Sequence, residues 1–384
     1  MSRNVFAVIA IFLCTSVAWM ILGSSIMHRT ESADSDLGPR VASAWGAPQQ
    51  QTPPTMFASH TTTLLPIEQS RIDVALSLEQ RQKGLLWFPT YRVDFKGAYL
   101  FRNISPVDDL TLKFALPVAS AIYDDLVVCA DGQSLPVTVA SGAISTTVKR
   151  PPGALIRIDV GYKSQGMQSW QYSFGENIAQ VRNFVLQMRT DFEAIDFPQG
   201  SISPTEKRRA GRGWLLTWKY SNLLTGYRIG MLLPQKLQPG PLAGRISFFA
   251  PVSLLFFFFL MFIITALRKI DLHPMHYFFL ATSFFAFHLL LAYLVDHISI
   301  HAAFVICSVV SIFLVVSYLR VVLGSRFAWV EAALSQLVYL VLFSYAFFFK
   351  GYTGLAITIG AIITLFVVMQ MTARIDWRTR EART

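Results

Sequence analysis

Residues Ile246–Thr372 hold five apolar runs: Ile246–Leu267, His276–Val295, His301–Leu319, Phe327–Phe349 and Gly354–Thr372, parted by loops of four to eight residues. No other feature narrows the fold as much. About 20 apolar residues at a rise of about 1.5 Å cover a hydrocarbon core of about 30 Å. Inside lipid each backbone N–H and C=O needs a partner within its own segment, so each run is predicted to be a membrane-spanning helix. Charged residues make up 15% of the 384-residue chain. Soluble chains carry about 25%, so composition excludes an ordinary soluble protein.

An earlier run, Val5–Leu22, follows the basic Arg3. It exceeds the roughly 7–15 apolar residues of a secretory signal, and no A-x-A site follows. A retained anchor helix within residues 1–27 is expected. Cys14 is preceded by the bulky Ile11-Phe12-Leu13, which argues against lipoprotein processing. Residues 28–63, with Ala47-Pro48-Gln49-Gln50-Gln51-Thr52-Pro53-Pro54, read as a linker.

Residues 64–245 change pattern. Val74-Ala-Leu76-Ser-Leu78, Leu110-Thr-Leu112-Lys-Phe114 and Ile156-Arg-Ile158-Asp-Val160 alternate apolar with polar or small side chains, the period of a half-buried strand. Turn signals recur at Asp131-Gly132, Ser141-Gly142, Pro151-Pro152-Gly153 and Gly211-Arg-Gly213. Nine or ten strands so punctuated predict a sandwich, with Ile178–Gln187 ambiguous. The expected fold is a membrane protein of α plus β type. It has one N-terminal anchor helix, an extracytoplasmic antiparallel β-sandwich (64–245), a bundle of five transmembrane helices (246–373) and a basic tail (374–384).

Charge placement gives the orientation. Arg3, Arg268, Lys269, Arg320, Arg326, Arg374, Arg378, Arg380 and Arg383 fall on one side of the expected spans. The short loops of the other side offer Lys350 and Asp296. The positive-inside rule then puts both termini in the cytoplasm and the sandwich outside, in a bacterial inner membrane.

Few residues announce chemistry. No nucleophile elbow, Walker loop, dinucleotide fingerprint or HExxH occurs, so no catalytic residue, cofactor or metal is expected. His288 lies within a predicted span, about 10 Å from its outer end at about 1.5 Å per residue. An ionisable group there is a functional candidate. Two readings stand side by side: a neutral imidazole sharing interhelical hydrogen bonds, or a proton acceptor in the path of a transporter or lipid-handling protein. Cys307, Ser308, Ser344, Tyr345 and Thr358 are its candidate neighbours by depth.

Asp296, His297 and His301 form a weak cluster at the outer loop, read mainly as a wet turn and otherwise as an enzyme-like cleft. His273 and His276 bracket Pro274, which reads as a helix start more readily than as a metal site. Lys207, Arg208, Arg209 and Arg212 form a basic turn that would meet water, anionic head groups or a cell-wall polymer. Trp87, Phe88, Trp170, Tyr172, Trp214 and Trp218 read as core, with a sugar-stacking platform as the rival.

Leu272-His273-Pro274-Met275-His276-Tyr277 before one span, and Ile375-Asp376-Trp377 after the last, resemble the CreD inner-membrane protein family of bacterial envelopes. Asp191–Trp218, through Phe197-Pro198 and Pro204-Thr205, is similar to the end of that family's β domain. The resemblance covers Asp191–Trp377 and implies a role in envelope integrity, colicin tolerance and the response to β-lactams under a two-component regulator. It brings no defined reaction, and Leu272, His273, Pro274, Met275, Asp376 and Trp377 carry over as markers only. Expected partners are membrane lipids and an envelope protein or cell-wall material, not nucleic acid.

Overall fold

The computed structural model describes residues 2–59, 63–84, 86–175, 179–349 and 351–373. They form two compact units, Ser35–Lys236 and Met1–Asp34 with Leu237–Thr384. Of the residues discussed above, Ile178, Lys350, Arg374, Ile375, Asp376, Trp377, Arg378, Arg380 and Arg383 lie outside the described ones.

The chain opens with α1 (Ser2–Trp45), which both units share. The expected linker at 28–63 is not one: α1 continues through it, and β1 (Gln49–Gln51) and β2 (Thr55–Ala58) follow. Tertiary contacts override weak local propensity here, since Gly38 and Pro39 lie inside the helix. Val41 is buried, and Trp45 lies under the guanidinium of Arg81 at 3.3 Å. Gly46 ends the helix with a positive φ of 98°, where any Cβ would strike the Gln165 carbonyl. Gln49 and Gln51 of β1 are buried while Gln50 is exposed. The Gln51 amide donates to the carbonyls of Thr52 and Ala115 and accepts from the Tyr162 hydroxyl at 2.7 Å. A glutamine-rich segment can enter a core when its amides are satisfied in this way.

The remaining strands are β3 (Ile67–Lys83), β4 (Leu86–Arg102), β5 (Asp109–Ala115), β6 (Tyr123–Ala130), β7 (Gln133–Ser134), β8 (Thr138–Ala140) and β9 (Ala143–Lys149). Then come β10 (Leu155–Met167), β11 (Ser169–Tyr172), β12 (Ala179–Thr190), β13 (Glu206–Ala210), β14 (Gly213–Thr225) and β15 (Ile229–Leu232). The ambiguous segment is thus strand β12. An eight-stranded sheet runs β13-β14-β12-β3-β4-β10-β6-β7; smaller sheets run β2-β5-β9-β8 and β1-β11-β15. Two of the three sheets are mixed, because β12 joins β3, and β1 joins β11, in parallel; β2-β5-β9-β8 is antiparallel throughout. The alternations read from the sequence hold: Val74, Leu76, Leu110, Leu112, Phe114, Ile156, Ile158 and Val160 are all buried. At Asp131-Gly132 and Ser141-Gly142 both residues have positive φ, as tight hairpin turns need.

The three sheets meet over one aromatic core. Phe95 of β4 stacks on Tyr162 of β10 at 5.0 Å and reaches Phe114 of β5 and Trp170 of β11 at 6.3 Å each. Burial pushes the phenols of Tyr91, Tyr99, Tyr162 and Tyr172 well up, so they stay protonated as donors. Tyr91 donates to the Ser169 carbonyl at 2.8 Å.

The other unit is helical: α2 (Pro239–Leu267), α3 (Pro274–Leu294), α4 (Ile300–Leu323), α5 (Phe327–Phe348) and α6 (Thr353–Thr372). With α1, six described helices are long and apolar enough to cross a membrane. The helix after the strand unit starts at Pro239, seven residues before the expected Ile246. Pro241 and the glycines at 240 and 244 dilute the apolar signal there, while Pro239 suits a first helical turn.

Candidate functional site

α1 meets α2 where side chains of one helix lie over glycines of the other. A Cβ on Gly23 would lie 2.9 Å from Phe248, and one on Gly244 would lie 2.9 Å from Met27; one on Gly240 would collide with Thr30. Numbers rise along one helix as they fall along the other, so the two are antiparallel. Gly240-xxx-Gly244, followed by the buried Ser247, is a small-residue stripe that leaves room for the Met27 and Thr30 side chains of α1.

The same helix meets α3 through two side chains. Trp19 is fully buried and packs edge-on against His288, with ring centroids 5.7 Å apart. At the end of the helical-unit part of α1, Arg29 pairs with Asp296 at 3.2 Å and donates to the Ala292 carbonyl at 2.9 Å. Both anchors join the first helix to the turn of chain around 288–296.

His288 is therefore buried, but among aromatic rings rather than hydroxyls. Its Nδ1 lies 2.9 Å from the Phe284 carbonyl one turn back. Its Nε2 has no hydrogen-bond partner among the described residues. The neighbours inferred from depth do not bond to it: Ser308 donates to the Phe304 carbonyl at 2.7 Å, and Thr358 to that of Gly354. Nor do Asp296, His297 and His301 converge. Asp296 serves Arg29, His297 is exposed, and His301 lies against Phe348 at 5.2 Å. No cluster of three His, Cys, Asp or Glu fit for a metal occurs among the described residues.

His273 sets the start of α3: its Nδ1 accepts from the Met275 N–H at 3.3 Å, and Pro274 opens the helix. Leu272 is buried, Met275 is exposed, and His276 meets the Tyr318 hydroxyl at 2.6 Å. These markers locate a helix start, as a proline at the first helical position would.

The basic turn resolves into an edge strand. Lys207 and Arg209 lie over the Trp214 ring at 3.9 and 4.4 Å, Arg208 pairs with Glu206, and Arg209 pairs with Glu193. Arg212 stands at the tip, beside Gly211 with its positive φ of 60°. Charges on an edge strand also discourage pairing with other strands. The six aromatics do not make one platform. Phe88, Trp170, Tyr172 and Trp218 are buried, Trp87 lies under Lys236 at 3.6 Å, and Trp214 lies under the basic strand.

The helices also hold polar residues that no sequence motif marks. Gln336, fully buried, donates to Ser311 at 2.7 Å, and Ser311 donates to the Ser283 carbonyl. Tyr339 donates to Thr364 at 2.9 Å, and Ser253 donates to the Tyr339 carbonyl. Arg268 pairs with Glu331 where α2 ends and α5 begins. An amide within an apolar span was the available signal for Gln336.

The family model described as inner membrane protein CreD matches residues 182–378. No curated protein matches the chain. Among solved structures, one described as a nutrient binding protein from Legionella pneumophila is 8% identical, with a TM-score of 0.36 over 55% of this chain and 76% of that one. An M1 zinc metallopeptidase from Deinococcus radiodurans is 10% identical, with a TM-score of 0.31 over 44% of this chain and 42% of its own. Native yeast LTA4 hydrolase is 7% identical, with a TM-score of 0.26 over 52% of this chain and 38% of its own.

Proposed function

The chain belongs to the CreD inner membrane protein family, and from that premise we propose that it maintains the cell envelope by holding its β-sandwich on the periplasmic face of the inner membrane. The observation that carries this reading is the seating of α1. Trp19 against His288, Arg29 on Asp296 and the glycine contacts with α2 treat that helix as part of the bundle. These contacts support reading it as a retained anchor. Because α1 and α2 run in opposite directions, the chain between them starts and finishes on one side of the bilayer.

Charge supports the side. Arg268, Lys269, Arg320 and Arg326 lie at one set of helix ends. At the other set Arg29 is offset by Asp296. The positive-inside rule then gives cytoplasmic termini and a periplasmic sandwich. There the sandwich engages an envelope protein, lipid head groups or cell-wall material, with Arg212 and the strand around Lys207 as a contact face. The role is binding and support rather than catalysis.

The test is a deletion strain challenged with detergent and β-lactams. Sensitivity is expected, with rescue by the full gene but not by one lacking residues 35–236. Unchanged tolerance after deletion would overturn the role. A phosphatase fused after Thr384 should be inactive; an active fusion would overturn the orientation.

A further inference from the structure

The cleft between α2, α5 and α6 is unlike the rest of the bundle. It encloses about 540 Å³, within the roughly 300–1,000 Å³ of small-molecule sites. Its walls are apolar: Phe256 and Leu260 from α2, Leu342 from α5, and Ile357 and Val367 from α6. On α6 the lining runs from Ala356 to Met371, about 22 Å at about 1.5 Å per residue.

Two features keep the cleft open. Only Thr364 and Val368 of α6 are buried, and the Tyr339–Thr364 hydrogen bond crosses to it. In α5 the segments Phe327–Ala332 and Leu337–Leu342 are π-helical, a wider winding that recurs at functional places. A helix filling the cleft would need roughly 1,700 Å³, taking a diameter of about 10 Å over the same length. A thin, flexible, apolar occupant fits instead.

One end of the cleft is charged. Glu331 lines it with its side chain 12% exposed, and Arg268, 48% exposed, binds one carboxylate oxygen. The other oxygen, Oε2, is buried with no partner among the described residues. A half-satisfied carboxylate at the edge of lipid is costly. The guanidinium keeps further N–H donors for an anion.

We propose that this cleft holds one membrane phospholipid with an ethanolamine head group, its acyl chain along α6, its phosphate on Arg268 and its ammonium on the free oxygen of Glu331. The head-group chemistry selects among lipids. A glycerol head group brings no cation to Glu331, and a choline head group has no N–H to donate.

The experiment is native mass spectrometry of the full chain in detergent with equal amounts of phosphatidylethanolamine, phosphatidylglycerol and phosphatidylcholine of one chain length. One bound lipid per chain is expected, with ethanolamine preferred about tenfold. Glu331→Gln, which keeps the shape, should retain a lipid and lose the preference. Gly360→Phe should lose the lipid, because a Cβ at Gly360 meets nothing within 4 Å and a ring there fills the cleft. Equal retention of the three lipids by the wild type overturns the proposal. So does an unchanged preference in Glu331→Gln, or full lipid retention in Gly360→Phe. If Gly360→Phe does not fold, the Glu331→Gln result decides.

Discussion

The sandwich and the helix bundle are held together by different means. In the sandwich the largest side chains, Trp170, Trp218, Phe95 and Tyr162 among them, are fully buried. In the bundle Phe313, Phe366 and Val321 stand exposed, and α6 buries two residues of its 20. Water drives apolar groups inward, so in the sandwich hydrophobicity marks the core. Lipid is as apolar as leucine, so in the bundle it marks nothing, and cohesion falls to close approach and hydrogen bonds.

The sharpest way to break that contrast is to empty the sandwich. Trp218→Ala removes a fully buried ring whose Nε1 donates to the Ile202 carbonyl, and should cost about 3–5 kcal/mol. Thermal unfolding followed by the strand signal in circular dichroism measures it; a loss below about 1 kcal/mol would mean that the core is not close-packed.

In the bundle, a small residue should matter more than a large one. Gly244→Val forces a side chain into Met27 and should cost about 1–3 kcal/mol. Phe313→Ala, at 67% exposure, should stay within about 0.5 kcal/mol. Melting of both variants in the same detergent compares them, and the reverse order would refute close approach as the cohesive term. Back in the sandwich, Gln51→Leu strands the Tyr162 hydroxyl, at about 1–3 kcal/mol. Adding Tyr162→Phe should recover part of the loss, a coupling readable from a double-mutant cycle.

Two smaller effects follow. His288→Phe gives up the contact of Nδ1 with the Phe284 carbonyl but also a buried nitrogen without a partner, so its net cost should be under about 1 kcal/mol. Envelope tolerance should survive it; loss of tolerance with folding intact would favour a proton path. Asp131 is the smallest case. Partial burial raises its carboxyl, but the Arg157 N–H and the Arg150 guanidinium outweigh that and hold it below its ordinary value of 3.8. A depressed folded-state value means stability present above pH 3.8 and lost as pH falls through the lower one. The side chain is 39% exposed, so Asp131→Asn should cost only about 0.2–1 kcal/mol at pH 7. The difference from wild type should vanish in acid.

The same contrast explains what the sequence revealed. Strand alternation was legible at Val74-Ala-Leu76 and Leu110-Thr-Leu112 because one face meets water. The spans were legible from length alone. The seam at Gly240-xxx-Gly244 was not, because uniform hydrophobicity hides which face of a helix has a neighbour. Gln49 and Gln51 were misleading for the opposite reason, since their composition is that of a linker and only their partners make them core. His288 was legible as an oddity, but its aromatic neighbour Trp19 is 269 residues away in sequence, beyond any local pattern.

The parallel pairing of β12 with β3 sets Phe184 beside Ser70 and Thr190 beside Leu76. During synthesis β3 and β4 can form their hairpin at once, yet one edge of β3 stays bare until the 82 residues from Asn103 to Phe184 have followed. Through that interval the nascent sheet offers an open row of N–H and C=O groups to any passing strand. The arrival of β12 closes that row, shortly before the first residues of α2 are made.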